Sequence, residues 1–311
     1  IMLGDTGQLE SIGECNVAKD IIDSNVITTV TLDKIHRQAE KSAIITQSIK
    51  IRNGQQIITK DYAGVTVMGE NKDLVLDCYS DKSNTAHKML EHFKEELDAV
   101  NGDVLKVQMI TPIRSRGEAS VWNLNKLAQD ICNPYEGQDK IEVFYSKQGL
   151  GELRVGDKII NTQNNYSDCY LAHACDDNDE PSSVPIYNGY IGIIKNINTA
   201  CMIVDFIGIG DVIVPRDLYS NIELAYAITV HKFQGAQTEI VIIAIDFGAF
   251  SLLSKELVYT AITRAQNKCI LVAQNSALRF AVDTEKTSAK QTHLKNLLIE
   301  AVSPKKEKLI F

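Results

Sequence analysis

The chain has 311 residues, 44% of them hydrophobic and 23% charged, which excludes collagen-like, disordered and low-complexity classes and suggests about two domains, one of them interrupted. No apolar run approaches the ~18 residues needed to span a bilayer, and the N-terminus has no charged flank followed by an apolar stretch, so a soluble, cytoplasmic protein without a membrane partner is expected. The formal net charge of −8 does not exclude a DNA partner, because most of it sits in residues 166–185, which hold five Asp and Glu and no Lys or Arg.

In chain order, IMLGD is too short at its left edge to be a complete strand unit, and the reading is of a chain that starts inside a domain. AKDIIDSNV reads as a short helix and TTVTLDKI as a strand. SAIITQSIKIRNGQ reads as an amphipathic helix with Ile44, Ile45, Ile49 and Ile51 near one face, closed by Gly54. DLVLDCY is a strand, Ala86 to Leu97 a helix, and VLKVQMIT a strand; this alternation predicts a parallel α/β sheet. From about Glu142 the runs VFYSK, RVGDKIINT, YIGIIKNI, CMIVDFI and DVIVP, separated by Gly, Asn and Asp, predict a small antiparallel barrel inserted between α/β halves. After Asn221 the α/β pattern resumes with AYAIT, a short helix VHKFQGAQ, the strand IVIIAIDF, a helix from Ser254 to Ala265, the strand KCILVA and a helical tail over 286–302.

Several stretches carry chemistry. Gly4-Asp5-Thr6-Gly7-Gln8 is a strand-end turn with a carboxylate and an amide, either a ligand site or an ordinary Gly-Asp turn. Arg37, in Ile35-His36-Arg37-Gln38, offers a guanidinium to phosphate or stands on the surface. Arg264 ends an apolar helix face and caps it on the plainest reading. In AITVHKFQGAQ a strand meets a helical turn begun by Thr229 and carrying His231 and Lys232, which suits phosphate at a helix N-terminus or forms a tight joint only. Thr111-Pro112-Ile113-Arg114-Ser115-Arg116-Gly117 gathers two arginines and two hydroxyls for phosphodiester contact, or is a charge-decorated loop. The seven scattered cysteines form no CxxC pair, so reduced thiols are expected. Cys169, His173 and Cys175 in the acidic segment lack a second ligand pair, so a solvated insertion is expected there and no metal.

The order and spacing of GDTGQLESIG, LDKIHRQ, TPIRSRGEASVWNLNKLAQDICNP, RVGDKIINTQNNY, YNGYIGII, AITVHKFQGAQ and LVYTAITRAQNKCILV resemble the C-terminal half of superfamily 1 DNA helicases of the RecD/TraA type, including exodeoxyribonuclease V alpha-subunit-like proteins. The resemblance runs from Leu3 to Val272. It implies that 1–28 is the last edge of a first RecA-like domain, 29–140 and 223–303 a second RecA-like domain, 141–222 an inserted Src-homology-3-like barrel, and 304–311 a tail. The family's phosphate loop and magnesium-holding Asp-Glu pair should lie upstream of the first motif. The chain has no Gly-Lys dipeptide, and its sole Asp-Glu, Asp179-Glu180, falls in the acidic segment.

By the same resemblance, ATP with Mg2+ binds between the two RecA-like domains of a longer protein, with no cofactor held tightly by this chain. Gln8 would lie near the γ-phosphate, Arg37 and Arg264 would act as arginine fingers, and Gln237, where many relatives carry Glu, would face the ribose. Thr111, Arg114, Arg116, Thr229, His231 and Lys232 would contact single-stranded DNA, along which such proteins move 5′ to 3′. The implied partners are single-stranded DNA, the absent first domain and, in some relatives, a nuclease/helicase complex serving DNA repair and recombination. A chain of this kind is inactive alone. The rival expectation is a non-enzymatic single-strand-binding or regulatory protein.

Overall fold

The computed structural model describes residues 1–10, 17–31, 39–80, 84–145, 148–175, 181–286 and 292–302. An extended opening segment turns at 6–8 and precedes helix α1 (Val17–Ser24). Residues 28–31 are irregular rather than the strand expected from TTVTLDKI, the rest of which lies outside the described residues. Helix α2 (Ala43–Arg52) starts at Ser42, whose hydroxyl caps the Ile45 N–H while the Asp73 carboxylate accepts the Ala43 N–H at 2.8 Å, so negative charge meets the positive helix end. Ile44 and Ile51, nearly two full turns apart, are buried, and the residue that joins them on that face is Ser48; Ile45 points out, which narrows the expected face. Gly54 follows the helix with φ +70°, a left-handed conformation that suits glycine.

Strands β1 (Gly64–Met68) and β2 (Leu74–Tyr79), helix α3 (Thr85–Ala99), strand β3 (Val107–Thr111) and helix α4 (Val121–Cys132) come next. An antiparallel unit then intervenes: the hairpin β4 (Lys140–Tyr145) and β5 (Gly149–Arg154), followed by β6 (Lys158–Asn161), β7 (Tyr170–Cys175), β8 (Pro181–Ser183), β9 (Ile191–Ile197), β10 (Cys201–Phe206), β11 (Gly210–Pro215) and β12 (Ile222–Leu224). The α/β part resumes with β13 (Ala227–Thr229), β14 (Thr238–Ile245), α5 (Lys255–Ile262), β15 (Ala265–Gln274), α6 (Asn275–Asp283) and α7 (Leu294–Val302). The expected helix in VHKFQGAQ is instead a run of turns over 230–235, because Gly235 takes φ +83° and breaks it.

The fold is mixed α/β. One sheet has the order β1-β2-β15-β14-β3-β13, all parallel except β1, which closes the edge antiparallel to β2. Alternation along the buried strands supplies two cores. Ile243 and Leu271 pack with Ile44, Leu257 and Leu278 of the helices on one face, and Met109, Ile242 and Val272 pack with Met89, Phe93 and Leu124 on the other. The second sheet has the order β12-β6-β9-β10-β11-β7-β8 and is antiparallel throughout, over a core that includes Leu153, Met202, Val204 and Phe206. Among the described residues this order ends at β12 and β8, and β4–β5 forms a separate hydrogen-bonded pair.

Two buried charges bolt the units together. Lys158, 2% exposed, donates to the carbonyls of Val104 and Val107 at 2.8 and 3.0 Å and to Gln108 Oε1 at 3.0 Å. Asp157 accepts from Gln129, Asn133 and Tyr226 at 2.7, 2.8 and 3.0 Å. Each satisfied bond of this kind offsets the desolvation of its charge. Among the described residues Cys78, Cys132, Cys169, Cys201 and Cys269 are free thiols. No helix among them is long and apolar enough to cross a membrane.

Candidate functional site

The opening turn docks on the end of α5. Asp5 accepts the Gly7 N–H at 2.9 Å, closing the turn, and accepts the Tyr259 hydroxyl at 2.7 Å from α5. Arg52, at the end of α2, lies 3.4 Å from the same carboxylate and 5.7 Å over the Tyr259 ring. Burial works to raise the Asp5 carboxyl, but the Tyr259 and Gly7 hydrogen bonds and the Arg52 charge hold it below the usual carboxylate range. The Leu9 N–H donates to Thr260 Oγ1 at 2.8 Å, and Gln234 Nε2 donates to the Leu9 carbonyl at 3.0 Å.

Within this frame Gln8 and Arg264 meet. Arg264 Nη2 donates to Gln8 Oε1 and to Thr263 Oγ1, each at 3.2 Å, while Nε and Nη1 reach the carbonyls of Thr260 and Ala236 at 3.0 and 3.3 Å. Arg264 is 5% exposed, all four partners are neutral, and no carboxylate among the described residues forms an ion pair with it. Burial pulls it below the usual arginine value, opposed by Tyr259 and Asp5. A fixed, buried cation with no carboxylate in ion-pair contact suits phosphate oxygens. Gln237, exposed, donates to the Thr263 carbonyl at 3.2 Å and so belongs to the same cluster. Arg37 lies outside the described residues. No three His, Cys, Asp or Glu side chains among the described residues come together to hold a metal ion.

The expected DNA contacts divide. A groove of about 570 Å³ between the α/β part and the antiparallel unit is lined by Arg114, Thr229 and Lys232 on one side and by Phe144, Gln163 and Asn188 on the other, with Trp122 also in its wall. Thr229 Oγ1 accepts the Lys232 N–H at 3.1 Å, capping the turn. Burial pushes the Lys232 ammonium down, with Glu223 opposing. Arg114 pairs with Glu223 at 2.8 Å, which neutralises much of its charge inside the groove. Arg116 is exposed and His231 half-buried, both outside the groove lining; burial and the Lys286 charge push the His231 imidazole below its ordinary range. Thr111 is corrected: it is fully buried, and its hydroxyl donates to the Ala119 carbonyl at 2.7 Å, pinning the 112–118 loop instead of facing a strand.

The C-terminal part of this arrangement, residues 224–272, matches the family model of the UvrD-like helicase C-terminal domain, and residues 1–70 match an AAA domain model. The chain is 26% identical over 281 residues to the ATP-dependent RecD2 DNA helicase of Deinococcus radiodurans, covering 90% of this chain and 33% of that protein. It is 22% identical over 293 residues to the RecBCD enzyme subunit RecD of Mycobacterium tuberculosis, covering 91% of this chain and 46% of that subunit. Its homologues are RecD2 and RecD helicases. The chain thus spans less than half the length of these curated relatives. A Pif1 helicase from Bacteroides, solved in complex with ADP-AlF3 and ssDNA, is similar with a TM-score of 0.41 at 18% identity, covering 78% of this chain and 51% of that one.

The two matched segments are the ones the geometry joins. The AAA match holds Asp5, Gln8 and Arg52, and the helicase C-terminal match holds Gln234, Gln237, Tyr259 and Arg264. Arg52 and Tyr259 escaped the motif reading. Tyr259 stood in a quoted helicase stretch as a helix residue, and Arg52 looked like an ordinary basic residue in the last turn of α2. Glu223 carried no local signal, and Phe144 stood only as an apolar residue at an outward position of the predicted strand VFYSK; the packing of the two units brings both to the groove.

Proposed function

We propose that this chain is the C-terminal motor half of an ATP-dependent DNA helicase that translocates 5′ to 3′ on single-stranded DNA. In this reading 1–28 is the last edge of a first RecA-like domain, 29–140 with 223–303 is the second, and 141–222 is a Src-homology-3-like insert. The first domain brings the phosphate loop and the magnesium ligands in a longer, cytoplasmic protein of DNA repair or recombination.

The observation that carries this reading is the Arg264–Gln8 contact at 3.2 Å, which sets a buried arginine with no carboxylate in ion-pair contact against the segment expected to adjoin the nucleotide. ATP supplies the free energy of phosphoryl transfer. The chain's own part is electrostatic: Arg264 stabilises charge spread over phosphoryl oxygens, and its planar fork is held by the Thr260 and Ala236 carbonyls, so little reorganisation is needed. A phosphate reaching Nη2 competes with Gln8, whose side chain shares the turn with Asp5, so site occupancy is transmitted to the opening segment through one exchanged hydrogen bond. Arg37 is the second finger in this proposal and Gln237 the ribose contact, while the Arg114, Thr229 and Lys232 side of the groove takes the phosphates of the strand, with Arg116 and His231 flanking it.

The test is ATP hydrolysis, with and without DNA, by the 311-residue chain and by a longer protein that joins it to a phosphate-loop domain. DNA-stimulated turnover is expected only in the longer protein; hydrolysis by the chain alone would sink the reading.

A further inference from the structure

The groove between the units has two chemically different walls. Arg114, Thr229 and Lys232 of the α/β part line it with cations and a hydroxyl, and Trp122 of the same part is aromatic; the antiparallel unit contributes Phe144 on β4. Phe144 is 70% exposed and breaks the pattern of its own strand. Val143 and Tyr145 on either side are buried in the antiparallel unit, and Glu142 is exposed, so alternation calls for a polar residue at 144. Its cross-strand neighbour on β5 is Leu150, also 64% exposed, and its ring packs on no other aromatic ring among the described residues. The backbone beneath it is fixed: the Tyr145 hydroxyl donates to the Ile222 carbonyl at 2.6 Å, anchoring the hairpin to β12. A single exposed apolar residue is ordinary on a protein surface. An exposed phenyl ring on an anchored hairpin, lining the same groove as two cations, is an arrangement suited to a ligand with a charged backbone and flat apolar faces.

We infer that Phe144 is a nucleobase-stacking residue, taking the face of one base of a single-stranded DNA whose phosphates run along Arg114, Thr229 and Lys232. The inference rests on the reading of the groove as the single-strand site and adds its second wall, contributed by the antiparallel unit. Stacking is tolerant of sequence because every base has a π face. Trp122, on α4 of the α/β part, is a second aromatic in the groove lining, and its Nε1, shielded from solvent, has no acceptor among the described residues.

The experiment uses the 311-residue chain and a single-stranded oligonucleotide carrying one 2-aminopurine, moved stepwise along it, with anisotropy for affinity and 2-aminopurine emission for stacking. For the unaltered chain one position should be quenched. Phe144→Ala should lose that quenching and about tenfold in affinity, with the salt dependence unchanged because no phosphate contact is removed. Phe144→Tyr should retain both signals, and Phe144→Leu, which keeps apolar area without a ring, should behave as alanine does. Unchanged affinity and emission in Phe144→Ala, or full retention in Phe144→Leu, overturns the inference and leaves the groove reading standing. Absence of single-strand binding by the unaltered chain overturns the groove reading and the inference together.

Discussion

Arg264 Nη2 donates to Gln8 Oε1 at 3.2 Å across 256 positions of sequence. This contact lets a finger role be separated from a structural one. In the longer protein, Arg264→Ala should cut DNA-stimulated ATP hydrolysis by about 10³ to 10⁵ while leaving single-strand affinity nearly unchanged. Arg264→Lys should rescue poorly, since an ammonium cannot hold Thr260, Ala236 and Gln8 at once as the fork does. Near-normal hydrolysis by the alanine variant would make Arg264 a helix-end cap only.

Much of this was legible before any coordinates. The strands β2, β3, β14 and β15 announce themselves as apolar runs, because a parallel strand buried on both faces needs no alternation. Strand β1 does not, since GVTVM is almost wholly exposed and pairs with one neighbour only. The motif around Thr229 has a helix-like composition but forms turns, where Gly235 and the Gln234 contact to Leu9 settle the backbone. Gln8 and Arg264 were found as residue types in the right order. Their meeting depends on Asp5, Tyr259 and Arg52, whose hydrogen bonds and ion pair link parts of the chain far apart in sequence. Thr111 shows the converse, a hydroxyl in a promising motif that is spent inside the protein.

Acid should loosen the docking of the opening turn. Asp5 is held below its usual range, so its contribution is fully present above the unfolded value of about 3.9 and is lost as pH falls through the lower folded value. Thermal unfolding of the chain and of Asp5→Asn should therefore differ at neutral pH, with the unaltered chain more stable, and the difference should begin to shrink only as pH falls below about 4. Parallel curves across that range would show that the Tyr259 and Arg52 contacts contribute nothing through the charge.

Alkali should act in the opposite sense at the junction. Burial pushes the Lys158 ammonium down to about 7, with Cys132 and Asp103 opposing. Between that value and the unfolded value of about 10.4 the unfolded chain binds a proton that the native chain does not, so stability rises with pH across this window. Lys158→Met, which keeps the stem and removes the titration, should flatten the rise in urea-unfolding free energy between about pH 7 and 10. An unchanged slope in the methionine variant would assign the pH dependence elsewhere.

Glu223 offers a gain of function in binding. Its carboxylate pairs with Arg114 at 2.8 Å and is the charge that opposes the lowering of Lys232, so it occupies the cationic wall of the groove as a phosphate would. In single-stranded DNA each neutralised phosphate releases counterions and adds about 0.7 to the slope of log affinity against log salt. With Glu223 in place, a phosphate must displace a carboxylate from Arg114, and that exchange releases little. Glu223→Gln keeps the side-chain volume and frees the guanidinium. It should raise single-strand affinity at low salt and steepen the salt dependence by about one contact's worth, with the two curves meeting as salt rises. Arg114→Ala in the Glu223→Gln background should remove the gain, because the freed cation is its source. Anisotropy titrations at several salt concentrations read all three variants, and a Glu223→Gln curve that overlies the unaltered one would place the phosphates away from Arg114.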